Sequence, residues 1–368
     1  MAGFPFMRQA EAFRSSLPFI LLLAVFILPC PMSAAAKPRP AIAFVHLLLP
    51  LGGEPHASPA GWIGSLDRAR DTLESLRIPT IVSSASPGNA EDLNELSEMD
   101  PEVLITTSPL LYAAACDVAK RSPNTVFFAC TDETVHDNMS GFQARTYEAH
   151  YLAGLIAGAL SEDGVIGYLA NDPYQSKASR LRNANAFTLG AQKSKAAIRV
   201  LYAPGNDPDE ELKTLIAAGA DIVDLERALP SLVERLREHS VRYVGTAGRT
   251  VDPLCLAAPE WEWSNAFGDL LTQVRFGIWR PRNVSYGIKE GVVGLSPFGP
   301  AVPETVRVRV REAKEAIRNG ASPFEGPVRD VSGSLRIAEG SVPDDATLRG
   351  MDWRVQGLEP LPLTPDGL

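Results

Sequence analysis

The chain has 368 residues, 45% hydrophobic and 21% charged, with 29 Gly, 30 Pro, 4 Cys and a net charge of −9. That length allows about two domains with full cores, and the apolar fraction excludes disordered and collagen-like classes. No long Lys/Arg run supplies the basic footprint of a nucleic-acid partner, and four cysteines are too few for a disulfide scaffold.

Residues 1–36 read as a secretory leader. Arg8 and Arg14 precede an apolar run over 17–29 (LPFILLLAVFILP), and Ser33, Ala34, Ala35 and Ala36 form a small-residue cleavage site. The run is shorter than the ~20 residues that span a bilayer, so cleavage after Ala36 is expected over an uncleaved anchor. Lipidation at Cys30 calls for a small residue before it, where Pro29 stands. Exposure to the periplasm or the cell surface follows. Cys116, Cys130 and Cys255 would then be left: one disulfide is possible, but each lies in an apolar context that fits a buried thiol.

Beyond the leader, strand and helix patterns alternate. The run AIAFVHLLL over 41–49 is a strand buried on both faces. A helix over 62–76 follows, with Trp62, Leu66, Ala69, Leu73 and Leu76 on one face. Short strands are expected at 80–83, 103–107 and 125–130, then a long helix over 145–161 whose GLIAGAL segment offers small residues for close packing. The alternation restarts with strands at 165–169, 199–202, 221–225 and 241–245, interleaved with helices at 178–193, 208–218, 230–239 and 263–279. A strand over 284–295, a charged helix over 303–319 and a Gly/Pro-rich tail complete the chain.

Two such runs predict two parallel α/β sheets flanked by helices. Lobe 1 is read as 37–145 completed by a segment returning near 284–320, lobe 2 as 146–283, and 321–368 as a tail packing across both. The carboxyl ends of the strands would face a shared ligand cleft.

Catalytic signatures are missing. The sequence has no G-x-x-x-x-G-K-[ST], no strand-linked G-x-G-x-x-G and no G-x-S-x-G, and its five histidines show no metal-ligand spacing. His46, inside the first strand, reads as a core histidine, with a position facing the cleft as the alternative. Asp207, Asp209, Glu210 and Glu211 suit a helix start, and 307–318 (RVRVREAKEAIR) a solvated helix face. Trp62, Trp261 and Trp263 stand at loop–helix junctions, where rings can stack on a flat ligand or staple a helix entry.

Seven blocks in order carry a resemblance: GWIGSLDRARDTLE from Gly61, ARTYEAHYLAGLIAGAL from Ala144, NAFTLGAQ from Asn185, the Trp263 segment with its GIW, GIKEGVVGLSPFGPAVP from Gly287, SPFEGPVRD from Ser322, and GMDW from Gly350. Together they resemble the basic membrane lipoprotein family of solute-binding proteins, which serve ABC importers and typically bind purines or nucleosides. The resemblance implies a periplasmic-binding-protein type I fold, two Rossmann-like lobes closing on a small molecule by hinge motion, delivery to an ABC permease, a monomer, and no cofactor, metal or enzymatic step.

On the first lobe the resemblance implies ligand contacts at Trp62 and Asp67, which match relatives; Trp263 is a candidate to stack on the ligand together with Trp62, and Phe142 and Lys289 are further candidates. The second lobe departs from the family. Pro204-Gly205-Asn206-Asp207-Pro208 replaces an aromatic stretch, Arg227-Ala228-Leu229-Pro230 replaces Thr-Asp-Ser-Pro, and Thr246-Ala247-Gly248-Arg249 replaces an acidic loop. Asn206, Glu226, Arg227 and Arg249 are the candidates there, and two arginines beside a cleft suit an anionic ligand. A ligand-sensing or interaction module derived from the same fold is the alternative to transport.

Overall fold

The computed structural model describes residues 39–47, 61–86, 91–131, 133, 136–173, 175–245 and 252–362. The leader with Ala36 and Cys30, the end of the first predicted strand at 48–49, and Arg249 with its loop lie outside the described residues. Residues 39–368 cluster as one compact unit that contains every strand and helix described below.

The first half runs β1 (Ile42–Leu47), α1 (Gly61–Ser75), β2 (Thr80–Ala85), α2 (Glu91–Glu98), β3 (Val103–Thr106), α3 (Tyr112–Ala119), β4 (Val126–Cys130) and β5 (Met139–Ala144). The second runs α4 (Tyr147–Leu160), β6 (Val165–Leu169), α5 (Lys177–Ser194), β7 (Arg199–Ala203), α6 (Pro208–Ala217), β8 (Ile222–Leu225), α7 (Pro230–Glu238), β9 (Arg242–Gly245) and β10 (Cys255–Ala257). Then come β11 (Pro259–Trp261), α8 (Ser264–Arg275), β12 (Asn283–Tyr286), β13 (Val293–Leu295), α9 (Glu304–Arg318), β14 (Val328–Arg329), β15 (Leu335–Ile337), α10 (Asp345–Arg349) and β16 (Leu358–Pro360).

The strands form two six-stranded parallel sheets, ordered β2-β1-β3-β4-β5-β12 and β16-β7-β6-β8-β9-β10. Apart from the outermost added strand, each repeats one winding pattern. The chain reverses direction across the sheet between β1 and β3, and again between β6 and β8. Those two reversals are the switch points where open α/β sheets leave a crevice at the strand ends. The two-lobed α/β architecture expected from the alternating runs is thus the one observed.

Several elements differ from the sequence reading. The predicted strand over 284–295 is two strands: β12 joins the first sheet in register with β5, and β13 pairs antiparallel with β11. The break falls at Gly287, where a Cβ would stand 2.4 Å from Glu148 Oε2, and at Gly291, whose φ of +75° favours glycine. The helix over 263–279 ends at Arg275, before Gly277 with φ +66°. It also packs on α1, and its Phe267 meets Phe44 of β1 and Phe142 of β5, so α8 stands with the first sheet. The return to lobe 1 therefore begins before 284. The tail adds β16 to the edge of the second sheet beside β7, and Asn185 of α5 holds it by accepting from Val355 N and donating to Trp353 O. Among the described residues Cys116, Cys130 and Cys255 form no disulfide, and the first two are buried.

Helices α4 and α5 pack with almost no space between their backbones. A Cβ on Gly154 would lie 2.1 Å from Phe187 O, and one on Gly190 2.1 Å from Tyr151 O. The small-residue segment singled out in the sequence is the surface that permits this approach. Just before α4, Arg145 joins the crossing segments: its Nε donates to Glu148 Oε1 at 2.7 Å and Nη1 to Ser285 O at 2.9 Å, while Nη2 reaches Glu290. Burial raises the Glu148 carboxyl above its usual range, and the Arg145 cation holds that rise in check.

Candidate functional site

The switch point of the first sheet gathers four polar or aromatic side chains. Trp62 opens α1, and its indole N–H donates to the carbonyl of Thr107, just past β3, at 2.7 Å. The Thr107 hydroxyl gives its proton to Val45 O at 3.1 Å, so it accepts from His46 Nδ1 at 3.3 Å. The other ring nitrogen of His46 meets Asp67 Oδ1 at 3.2 Å. Asp67 lies on α1 five residues beyond Trp62. Its carboxyl is held below the ordinary aspartate range, chiefly by the His46 hydrogen bond, against the opposing effect of burial. The result is an ionised acceptor beside a half-buried indole, both facing the carboxyl end of the sheet.

Behind Trp62 stands an aromatic block. Phe142 lies nearly parallel to it at 6.4 Å, while Trp261 and Trp263 meet it edge to face at 5.9 and 5.3 Å. Phe142 also stacks on Phe128 at 4.5 Å, and Trp263 on Phe267 at 5.5 Å. Phe142 and Trp263 are both fully buried. They belong to the core that fixes the Trp62 ring rather than to an open surface. The Trp263 indole N–H has no hydrogen-bond partner among the described residues.

The switch point of the second sheet is clasped by one amide. Asn171, after β6, donates from Nδ2 to Arg227 O at 2.8 Å and accepts from Arg227 N at 2.9 Å, tying the two diverging loops together. Glu226 beside it is buried, accepts from the Tyr168 hydroxyl at 2.9 Å, and lies 3.5 Å from Asp172 N. Tyr168 on β6 is in register with Asp224 on β8, so both project from one face of the sheet toward α4. There His150 Nδ1 meets Asp224 Oδ2 at 3.3 Å. Burial pushes the Glu226 carboxyl up to about 7, with the neighbouring His150 opposing that rise and Asp172 and Asp224 adding to it. Burial would lower His150, but the Asp224 carboxylate outweighs it and the imidazole is raised on balance.

The other expected site residues are placed apart from these clusters. Asn206 is exposed in the loop after β7, its N–H and that of Gly205 given to the Glu211 carboxylate at 3.1 and 2.6 Å. Lys289 is exposed on the turn between β12 and β13. Arg227 is half-buried, and its backbone N–H and carbonyl are both held by Asn171. Sequence reasoning favoured the core over the cleft for His46, and passed over Thr107, His150, Tyr168, Asn171 and Asp172. For Thr107, Tyr168, Asn171 and Asp172, a position at or beside the ends of strands flanking a reversal is the signal that marks them; His150 lies within α4 and reaches Asp224 only through packing. Among the described residues, no group of three or more His, Cys, Asp or Glu is arranged to hold a metal, and no helix is long and apolar enough to cross a membrane.

Two parallel-sheet α/β lobes, each with its own switch point, give the chain the periplasmic-binding-protein type I fold. Solved structures with this fold include ABC transporter solute-binding proteins from Conexibacter woesei (TM-score 0.60, 17% identity, 76% of this chain and 97% of that one) and Aeropyrum pernix K1 (0.58, 16%, 84% and 95%). A transcriptional activator of the comK gene from Bacillus halodurans also shares it (0.63, 15%, 76% and 98%).

The chain matches, over residues 66–217, the family described as ABC transporter substrate-binding protein PnrA-like. It is 28% identical to a purine-binding protein of Brucella abortus, over 81% of this chain and 89% of the relative. It is also 28% identical to a putative ABC transporter glucose-binding protein, TsgA13, of Haloferax volcanii, over 77% and 78%. Proteins of this family are extracytoplasmic, bind a small ligand and deliver it to a permease.

Proposed function

We propose that the chain captures a purine base or nucleoside between its two switch points and carries it to an ABC permease, with no covalent step. The observation that carries this reading is the Trp62–Thr107–His46–Asp67 arrangement. A flat indole, fixed by its own N–H and backed by three aromatic side chains, offers a stacking surface of the kind a heterocycle uses. The Asp67 carboxylate stands one and a half helical turns along α1 from that ring and accepts from ring N–H or ribose hydroxyl donors. Glu226 on the second lobe changes what the partner edge must offer. A carboxyl that titrates near neutrality donates to a purine carbonyl when protonated and accepts from an amino group when ionised. The 28% identity to a purine-binding protein supports the same ligand class, and the equal identity to a putative glucose-binding protein names its competitor.

Calorimetric titration of the purified protein with hypoxanthine, adenine, guanine, their nucleosides and glucose tests the reading. Saturable heat with at least one purine compound and none with glucose is expected. Glucose binding with no response to any purine compound would overturn it.

A further inference from the structure

The edge of the first sheet where the strands begin, opposite the edge carrying His46 and Thr107, has a surface unlike the rest of this acidic chain. Arg39 enters β1 there; α1 leaves toward β2 through Leu76 and Arg77; α2 leaves toward β3 through Met99; and α8 leaves toward β12 through 276–282. Backbone and side-chain bonds hold these exits together. Ala41 N donates to Pro79 O at 2.9 Å, Arg275 grips Glu102 with two bonds of 2.9 and 2.7 Å, and Arg39 pairs with Asp100.

Four of the ten large apolar side chains that the described residues expose lie on this one edge: Phe276 (76% exposed), Leu76 (67%), Ile278 (64%) and Met99 (41%). The left-handed turn at Gly277 separates Phe276 from Ile278, and both remain in solvent. Trp279 is half-buried beside them. Arg77, Arg280 and Arg282 are exposed on the same edge. Among the described residues Arg280 donates only to the carbonyls of Gly277 and Trp279, and Arg282 Nη2 only to Gln273 Oε1 at 3.5 Å, so neither cation meets a carboxylate there.

We infer that this edge rests on an anionic lipid surface, with the apolar side chains at the headgroup boundary and the three arginines on lipid phosphates. Charge selects lipid over other occupants: Arg77, Arg280 and Arg282 stand exposed beside the apolar side chains, and in a chain of net charge −9 these local cations favour this edge at an anionic surface. In that pose the ligand-binding edge of the first sheet faces away from the bilayer. The inference rests on the extracytoplasmic character of the family and is independent of which ligand is carried.

Flotation of residues 39–368, the compact unit holding every described strand and helix, with phosphatidylglycerol–phosphatidylethanolamine vesicles tests it without the leader and without ligand. Binding that falls with salt and is far weaker to phosphatidylcholine vesicles is expected. Arg280→Glu with Arg282→Glu should weaken binding at least tenfold, from roughly fivefold for each arginine at an anionic surface. Phe276→Ser with Ile278→Ser should weaken it as well, and Val331→Ser with Leu335→Ser, exposed apolar positions on the β14–β15 hairpin, should leave it unchanged. All variants sit on the surface, so unchanged thermal melts check the fold. Absence of binding, binding indifferent to both double variants, or loss in the variants of binding to detergent-solubilised permease alone would each overturn the inference.

Discussion

Trp62 is anchored to Thr107 by a 2.7 Å bond that joins the first turn of α1 to the end of β3, across the reversal of the first sheet. The indole is therefore a fixed surface, because rotating it would abandon a part-buried carbonyl and disturb three aromatic neighbours. Trp62→Ala is expected to weaken ligand binding at least tenfold and to lower stability by about 3 kcal/mol through lost packing. Trp62→Phe keeps a ring but loses the N–H, and should fall between the two in a titration series. By contrast Trp263→Leu, at a fully buried position, should lower the denaturation midpoint more than the affinity.

Asp67 is held below the usual aspartate range first by its bond to His46. A depressed carboxyl stabilises the fold above its unfolded pKa of about 3.9, and that contribution disappears as pH falls through the lower folded value. Carboxyl NMR titration should place Asp67 below an exposed aspartate, and His46→Gln should move it back toward the ordinary range. An Asp67 titration unchanged in that variant would show that burial and Arg70 set its acidity instead.

Glu226 and His150 shift in the same direction and reinforce each other in pH dependence. Burial raises Glu226 to about 7, so the folded state holds a proton that the unfolded state has released above about 4.5. Stability from this group is fully present below about 4.5 and falls as pH rises toward 7. His150, raised by Asp224 against its burial, contributes stability that is lost as pH rises through its folded value. The melting temperature should therefore decline between pH 5 and 7.5, and Glu226→Gln should flatten the lower part of that decline. The groups facing Glu226 are His150, Tyr168, Asp172 and Asp224, and none of them is altered by that substitution. A purine bound through Glu226 should show affinity that changes across the same interval.

The alternation of apolar runs with helical faces was enough to read both parallel sheets, because strands such as β1 are buried on both faces and announce themselves as unbroken apolar stretches. The polar, Gly-containing β5 and the short β10 and β11 escaped, since pairing within the sheet rather than residue propensity makes them strands. Of the candidate site, Trp62 was legible as an aromatic residue at a helix entry, whereas Asp67 and Glu226 were reached only through the family resemblance. The partner set was not. His46 looks like a core residue in a one-dimensional pattern, and only the strand order β2-β1-β3 puts it beside Thr107. Phe142 and Trp263 show the converse, aromatic residues whose depth depends on α8 returning to the first sheet.

The close approach of α4 and α5 should be the least tolerant feature of the fold. Gly154 and Gly190 face backbone carbonyls of the opposite helix, and Gly158 faces Ala191 O at 2.2 Å from a notional Cβ, so no side-chain rotation relieves an added methyl. Any one of the three changed to Ala must drive the helices apart along their whole contact. A loss of about 1–3 kcal/mol is expected for each in urea unfolding, by the cost typical of overpacking. Gly164→Ala is a poor control because its φ is +77°, but Gly268, open on α8, has nothing within 4 Å of its notional Cβ. Gly268→Ala should be neutral or stabilise the chain by up to ~1 kcal/mol, through helix propensity. Because α4 follows the first crossing between the lobes and α5 packs on β7 and β16 of the second sheet, Gly154→Ala should also alter ligand affinity. Combining Gly154→Ala with Gly190→Ala should cost less than the sum of the single changes, since one displacement of the helices relieves both clashes.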